Sequence, residues 1–303
     1  MQIAAILSDY DGTLCPTSSV KTQDNTIPEG LNNILWDLSG KIPVCIVSSK
    51  DFDFLHKRTK FASIVSCILG IETLLLKRHR KSTTATSTYN SIPTATSITD
   101  CNNFNCIVDH HIQVEAEILQ HNSRILDSLA DGILSTFKDV TVERKFITNN
   151  ETLAGITIDW RQLRDWKSFK KTSEPLLKKT IAKQRKLSFN SNTLYTQTYT
   201  THPFIDVYAV KCNKGTAFDH VTSQILHSVE QNGDKILYLG DSENDNPAFR
   251  RADVSIGVIS DDRLNPKLDC EYTVSFDQLS VFLKALLDKD FVFSDDLLPD
   301  QIE

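Results

Sequence analysis

The sequence predicts an α/β protein, a Rossmann-like parallel sheet interrupted by an inserted segment of α+β order. Three observations carry the prediction. Short, mainly apolar runs at Ile3–Leu7, Pro43–Val47 and Lys235–Leu239 have the character of strands covered on both faces. Segments of helical periodicity fall between such runs, and alternating strands and helices imply parallel neighbours with helices over the sheet. From about residue 77 to 204 the texture changes to a basic run, a Ser/Thr-rich stretch, a long helical pattern and then alternating strands, the order of a separate antiparallel unit. The expected organisation is a core built from residues 1–76 and 205–303, with the insert at 77–204.

Composition sets the class. At 303 residues the chain can hold two domains of ordinary size, and 40% hydrophobic with 24% charged residues is the balance of a globular protein. A net charge of −6 argues against a dedicated nucleic-acid binder. No apolar run reaches membrane-spanning length and the amino terminus enters a strand directly, so the expectation is a cytoplasmic protein with no membrane partner. Seven scattered cysteines, an odd number, do not make a secreted disulfide framework. Cys101 and Cys106, followed by His110 and His111, fit no zinc spacing.

The first strand runs into Ser8-Asp9-Tyr10-Asp11-Gly12-Thr13, where Gly12 and Thr13 break the apolar pattern. Asp9 and Asp11 leave that strand end together, at the carboxyl edge where open α/β sheets hold ligands. Taken alone, the pair reads more readily as a turn with two solvated aspartates. Leu31, Ile34, Leu35 and Leu38 then mark a helix that opens near Pro28 and stops at Gly40. The second strand, Pro43–Val47, ends in Ser48-Ser49-Lys50-Asp51; a serine there is commonly a helix cap, and its hydroxyl and the amides beyond can also donate to a phosphate. Residues 52–60 read as helix, and Ile64–Leu69 as a strand ending at Gly70.

In the insert, 82–99 reads as a loop or hairpin, Val114–Phe137 as a helix, and Val140–Ile147 and Leu153–Trp160 as strands. Arg161–Lys179 returns to helix with Pro175 as an interruption, and Lys186–Phe189 and Leu194–Tyr199 are strands. Glu143, Lys145 and Arg161 stand at strand positions where cross-strand charge pairing on a solvated edge is one reading and contact with a polyol anion another. Ile205–Val210 is an apolar strand carrying Asp206, and Asn213-Lys214-Gly215-Thr216-Ala217 opens the next helix. A lysine in a first helical turn opposes the macrodipole, which weakens a purely structural reason for Lys214; Lys211 is the second choice. Lys235–Leu239 delivers Gly240-Asp241-Ser242-Glu243-Asn244-Asp245, an acidic strand-end loop that either caps a helix starting near Pro247 or holds a cation. Asp253–Val258 and Cys270–Val274 are further strands, Leu279–Leu287 is a closing helix, and the acidic stretch Phe291–Glu303 frays at its end.

In this order, D-Y-D-G-T-L, the apolar strand closing on Ser48, N-K-G-x-A and G-D-S-x-N-D resemble the four motifs of the haloacid dehalogenase-like phosphohydrolases. The resemblance implies Asp9 as nucleophile and Asp11 as general acid/base, with Ser48 on the phosphate and Lys214 pairing with Asp9. It implies Mg²⁺ as cofactor, held by Asp9, Asp11, Asp241 and Asp245, with Gly12, Thr13, Ser49 and Asn244 beside the substrate. The chemistry suits the residue types, because a carboxylate can accept a phosphoryl group, a second carboxyl can shuttle a proton, and a divalent cation offsets the charge. The insert is then a substrate-selecting cap, and its Glu143, Lys145 and Arg161 are similar to the cap residues of trehalose 6-phosphate phosphatases. The fourth motif is nearer to mannosyl-phosphoglycerate and sucrose-phosphate phosphatases, and Lys50 stands where the sugar-phosphatase branch usually has a different pattern. The implied activity is hydrolysis of a small phosphorylated sugar. Transfer to another sugar hydroxyl, as in a phosphomutase, or a silent regulatory subunit are the alternatives; oligomeric state is not legible.

Overall fold

The computed structural model describes residues 1–16, 26–78, 105–148, 152–186, 194–199, 202–226, 235–260 and 266–298. The chain opens with β1 (Ile3–Ser8), α1 (Glu29–Ser39), β2 (Val44–Val47), α2 (Phe52–His56), β3 (Ile64–Cys67), β4 (Glu72–Arg78) and β5 (Asn105–Ile112). There follow α3 (Ala116–Thr136), β6 (Thr141–Phe146), β7 (Leu153–Asp159), α4 (Trp166–Thr172), α5 (Glu174–Arg185), β8 (Tyr195–Thr198) and β9 (Phe204–Tyr208). The last group is α6 (Lys214–Leu226), β10 (Lys235–Gly240), α7 (Asn246–Phe249), β11 (Val254–Ile259), β12 (Tyr272–Ser275) and α8 (Phe276–Asp288). Among the described residues no helix is long and apolar enough to cross a membrane.

The larger sheet has the order β12-β11-β10-β1-β2-β3-β4-β5, parallel from β12 to β3 and antiparallel at β4 and β5. Its strands are apolar throughout because both faces are covered. Ile3 and Ile6 pack into one core with Leu35 of α1 and Leu283 of α8, while Ala5 and Leu7 pack into another with Val221 of α6 and Phe249 of α7. The first strand meets the last described segment here: Ile3 N–H donates to Phe291 O and Phe293 N–H to Met1 O, and Phe291 and Phe293 are buried. Residues 299–303 lie outside the described residues.

The smaller sheet, β6-β7-β9-β8, is antiparallel; α3 packs over one side of it, and α5 packs against α3. Its register explains its two faces. Arg144, Ile156 and Val207 form one cross-strand row, and Arg144 turns to Asp127 and Asp131 of α3. Glu143, Thr157, Asp206 and Gln197 form the adjacent row, which by strand alternation points the other way. That polar row faces the carboxyl ends of β1 and β2.

Sheet membership differs from the sequence expectation at both ends of the insert. β4 and β5 extend the larger sheet, and β9 belongs to the smaller sheet although its apolar run resembles a core strand. A buried strand of either sheet shows the same run of apolar residues, so periodicity does not choose between them. The helix expected at 52–60 ends at His56, and the one expected from Arg161 divides into α4 and α5 beside Pro175. The Ser/Thr-rich stretch 82–99, Cys101 and most of the strand expected at Lys186–Phe189 lie outside the described residues.

One turn connects fold to site. Ile68, Leu69 and Gly70 all have positive φ (50°, 55° and 91°), and Ile68 N–H and Leu69 N–H donate to Lys50 O and Ser48 O, each at 2.9 Å. A Cβ on Gly70 would meet the Cβ of Ala217 on α6 at 2.8 Å. The turn thus braces both the 48–50 loop and the start of α6. Gly70→Ala adds a side chain where neither φ nor space allows one, and should lower unfolding stability by about 1–3 kcal/mol in a urea titration; a loss below about 0.5 kcal/mol would show that α6 shifts freely.

Candidate functional site

β1 ends at Ser8, and Asp9 N–H continues the parallel ladder by donating to Leu239 O at 2.9 Å. Tyr10 is buried beneath, so the side chains on either side of it, Asp9 and Asp11, emerge toward the cleft. Gly12, at φ 82°, turns the chain back, its N–H donating to Cys15 O, and the Thr13 hydroxyl donates to Asp241 Oδ1 at 3.3 Å. At the end of β2, Ser48 is buried and its Oγ accepts from Lys50 N–H at 3.3 Å, which leaves the hydroxyl hydrogen for another acceptor. Ser49 and Lys50 line the cleft.

Lys214, fully buried at the start of α6, is shared by two carboxylates: Nζ lies 2.8 Å from Asp9 Oδ2 and 2.7 Å from Asp245 Oδ1. Burial opposes its charge, but Asp245 and Asp9 outweigh burial and hold its pKa above the ordinary value. Burial pushes Asp9 up from 3.8 to about 7; Lys214 pulls against that shift, while Asp245 and Asp11 add to it. Lys211, the second choice from sequence, is exposed and does not line the cleft.

Asp245 organises the loop after β10. Its Oδ1 accepts from Lys214 and from the Tyr238 hydroxyl at 2.7 Å, and its Oδ2 accepts from the N–H groups of Asp241 and Ser242 and from Ser242 Oγ at 3.1–3.2 Å. Five donors occupy the approximately four lone-pair sites of a carboxylate, so Asp245 is an anchor more than a free ligand. Gly240 makes room for it, since a Cβ there would lie 2.4 Å from Asp245 Cγ.

Asp9, Asp241 and Asp245 offer oxygens within 4.8 Å of one another, all buried, against the single ammonium of Lys214. This excess of buried negative charge, in hard oxygen donors alone, fits a divalent cation of the Mg²⁺ kind. Asp11 is outside that cluster; its side chain is 28% exposed and lies 3.9 Å from Lys50 Nζ.

The smaller sheet roofs the site. Lys50 Nζ reaches both carboxylate oxygens of Glu143 at 2.9 Å, and Gln197 Nε2 donates to Asn244 Oδ1 at 2.7 Å, so each sheet contributes to two bridges. Lys145 is buried 3.4 Å from Asp206, which also accepts from Thr157 and Tyr199, and Arg161 pairs with Asp159. Between the sheets is a cleft of about 560 Å³. Asp9, Asp11, Ser49, Asn244, Glu143, Lys145, Arg161, Lys214 and Asp241 line it, whereas Gly12, Thr13, Ser48 and Asp245 stand behind its wall.

Sequence reasoning did not single out Tyr238, Thr157, Asp206, Tyr199 or His202 for this site. The signal for Asp206 was a carboxylate inside an otherwise apolar strand. The others carry no local mark, because a tyrosine or threonine in a strand is ordinary.

A family model described as haloacid dehalogenase-like hydrolase matches residues 6–263. No curated protein sequence matches the chain. Among solved structures, a trehalose-6-phosphate phosphatase related protein superposes with a TM-score of 0.58 at 15% identity, covering 92% of this chain and 95% of the other. The C-terminal domain of the C. albicans trehalose-6-phosphate phosphatase gives 0.54 at 19% identity, over 82% and 73%. A haloacid dehalogenase subclass IIB sugar phosphatase gives 0.52 at 13% identity, over 95% and 99%. At these identities the likeness establishes the shared fold.

The raised Asp9 pKa has a thermodynamic consequence. The folded protein keeps that proton up to about pH 7, while the unfolded chain releases it near 3.8. The contribution to stability is therefore complete below 3.8 and is lost as the pH rises through about 7. In EDTA, the melting temperature of the wild type should fall relative to that of Asp9→Asn as the pH is raised from 5 to 8; parallel melting curves across that range would refute the shift.

Proposed function

The chain belongs to the haloacid dehalogenase-like hydrolases, and on that footing we propose that it is a Mg²⁺-dependent phosphomonoesterase that moves a phosphoryl group from a sugar phosphate to Asp9 and then to water. The observation that carries the reading is Lys214 held between Asp9 and Asp245, beside Asp241, at the base of a cleft roofed by polar side chains.

In the first step an Asp9 oxygen forms a bond to phosphorus as the ester P–O bond breaks, and Asp11 gives its proton to the departing alkoxide oxygen. In the second, water gives a proton to Asp11 as its oxygen attacks phosphorus, the Asp9–phosphorus bond breaks, and orthophosphate leaves. Lys214 limits repulsion between the carboxylate and the incoming anion. The Ser48 hydroxyl hydrogen, free because Oγ already accepts from Lys50 N–H, is available to a phosphate oxygen. Lys50 lies nearer to Glu143 than to Asp11, 2.9 Å against 3.9 Å, so its charge is directed mainly to the roof. Asp9 and Asp241, with Asp245 behind them, would hold Mg²⁺, which when bound supplies positive charge for the phosphate oxygens and favours ionised Asp9.

The sugar phosphate rests on the roof, where Glu143, Lys145 and Arg161 offer acceptors and donors suited to hydroxyl groups, and on the named activities of structures with the same fold. Phosphate release from a panel of sugar phosphates should require Mg²⁺, stop in EDTA and vanish in Asp9→Asn. Lys214→Met should reduce kcat by about 10²–10³. A folded, Mg²⁺-binding protein that releases no phosphate from any compound would overturn the hydrolase reading.

A further inference from the structure

The charged side chains of the roof, taken with Lys50 beneath them, sum to zero. The three cations are each matched by a carboxylate: Lys50 reaches across to both oxygens of Glu143 at 2.9 Å, while within the smaller sheet Lys145 pairs with Asp206 at 3.4 Å and Arg161 with Asp159. The Lys145–Asp206 pair is almost completely buried, and Thr157 and Tyr199 donate to the same Asp206 carboxylate, which fixes it in place. Lys214, the remaining lysine in the wall, is committed to Asp9 and Asp245.

A second anionic group on a substrate would have to take one of these cations from its carboxylate and leave that carboxylate uncompensated, at the highest cost at Asp206, whose side chain is 3% exposed. Hydroxyl groups meet no such obstacle, because each both donates and accepts and can join the existing pairs without breaking them. Beside the ion pairs, Tyr199, His202 and Phe204 line the same cleft, their rings 4.7–5.6 Å apart at edge-on or tilted angles. They supply an apolar surface for the carbon face of a ring.

Building on the phosphomonoesterase reading, we infer that the leaving group is an uncharged polyol, and that Glu143, Asp159 and Asp206 select it by neutralising the cations that would otherwise attract a carboxylate or a second phosphate. Sugar acids, phosphoglycerates and bisphosphates are the compounds this wall excludes. The selection is a charge-based rejection rather than a matter of size.

The test uses matched pairs that differ in one anionic group: sorbitol 6-phosphate with 6-phosphogluconate, and glycerol 3-phosphate with 3-phosphoglycerate. p-Nitrophenyl phosphate serves as a substrate that needs no polyol contact. The neutral member of at least one pair should have a kcat/KM about tenfold or more above its anionic partner. In Glu143→Gln, which releases Lys50 on a partly exposed side chain and so leaves the fold intact, that ratio should narrow by at least about threefold. Equal or reversed preference in both pairs, or an unchanged ratio in the variant, would overturn the inference even though p-nitrophenyl phosphate is hydrolysed. Absence of Asp9-dependent release from p-nitrophenyl phosphate as well would instead overturn the phosphatase reading beneath it.

Discussion

A single ammonium group, Lys214 Nζ, holds the site together. It lies 2.8 Å from Asp9 and 2.7 Å from Asp245, in a region where Asp9, Asp241 and Asp245 are all buried. Without it three carboxylates would converge with no internal counter-charge, an arrangement that folds only by taking up protons or a cation. Other features of the core serve this contact. The positive-φ turn at 68–70 seats the start of α6 by leaving no Cβ against Ala217, and Gly240 clears the space that Asp245 occupies. The Tyr238 ring, packed edge-on between Phe218 and Phe249, steadies the hydroxyl that donates to Asp245.

The two sheets divide the chemistry. The carboxyl ends of β1, β2 and β10 bring Asp9, Asp11, Ser48 and Asp241 to one edge, the place where a parallel sheet leaves its loops free of helices. The antiparallel sheet brings a row of side chains from four strands, Glu143, Thr157, Asp206 and Gln197, and two of these bridge directly to the core through Lys50 and Asn244. Because the side-chain period of a strand is two, the same strands that bury Ile156 and Val207 under α3 must turn this polar row the other way. A stable roof and a polar cleft therefore arise from one alternation.

Much of the core was legible because its signals are local. An apolar run followed by Asp-x-Asp-Gly-Thr marks both a strand and its end, and Gly-Asp-x-x-Asn-Asp does the same for β10. Lys214 stood out as a cation in the wrong turn of a helix. Asp245 was legible as an important acid but not as an anchor, since its five donors come from Lys214, Tyr238, Asp241 and Ser242, and the first lies 31 residues away in the chain. Glu143, Lys145 and Arg161 could be named as charges on strands, but their partners Lys50, Asp206 and Asp159 could not be assigned to them, because a charged residue on a strand is compatible with solvent or with any neighbour the register supplies.

The sequence by itself determined the elements, the strand-end motifs and the residue types from which a phosphate-handling site can be made, since apolar period, glycine turns and charge placement act within a few positions of one another. Only the tertiary structure decided that β4 and β5 extend the larger sheet, that β9 joins the smaller one, and that Lys50 spans from one sheet to Glu143 on the other. Those choices depend on pairing between segments far apart in the chain. Equally apolar strands compete for the same neighbours, and the winner is set by the packing of the whole rather than by any property that a single strand carries.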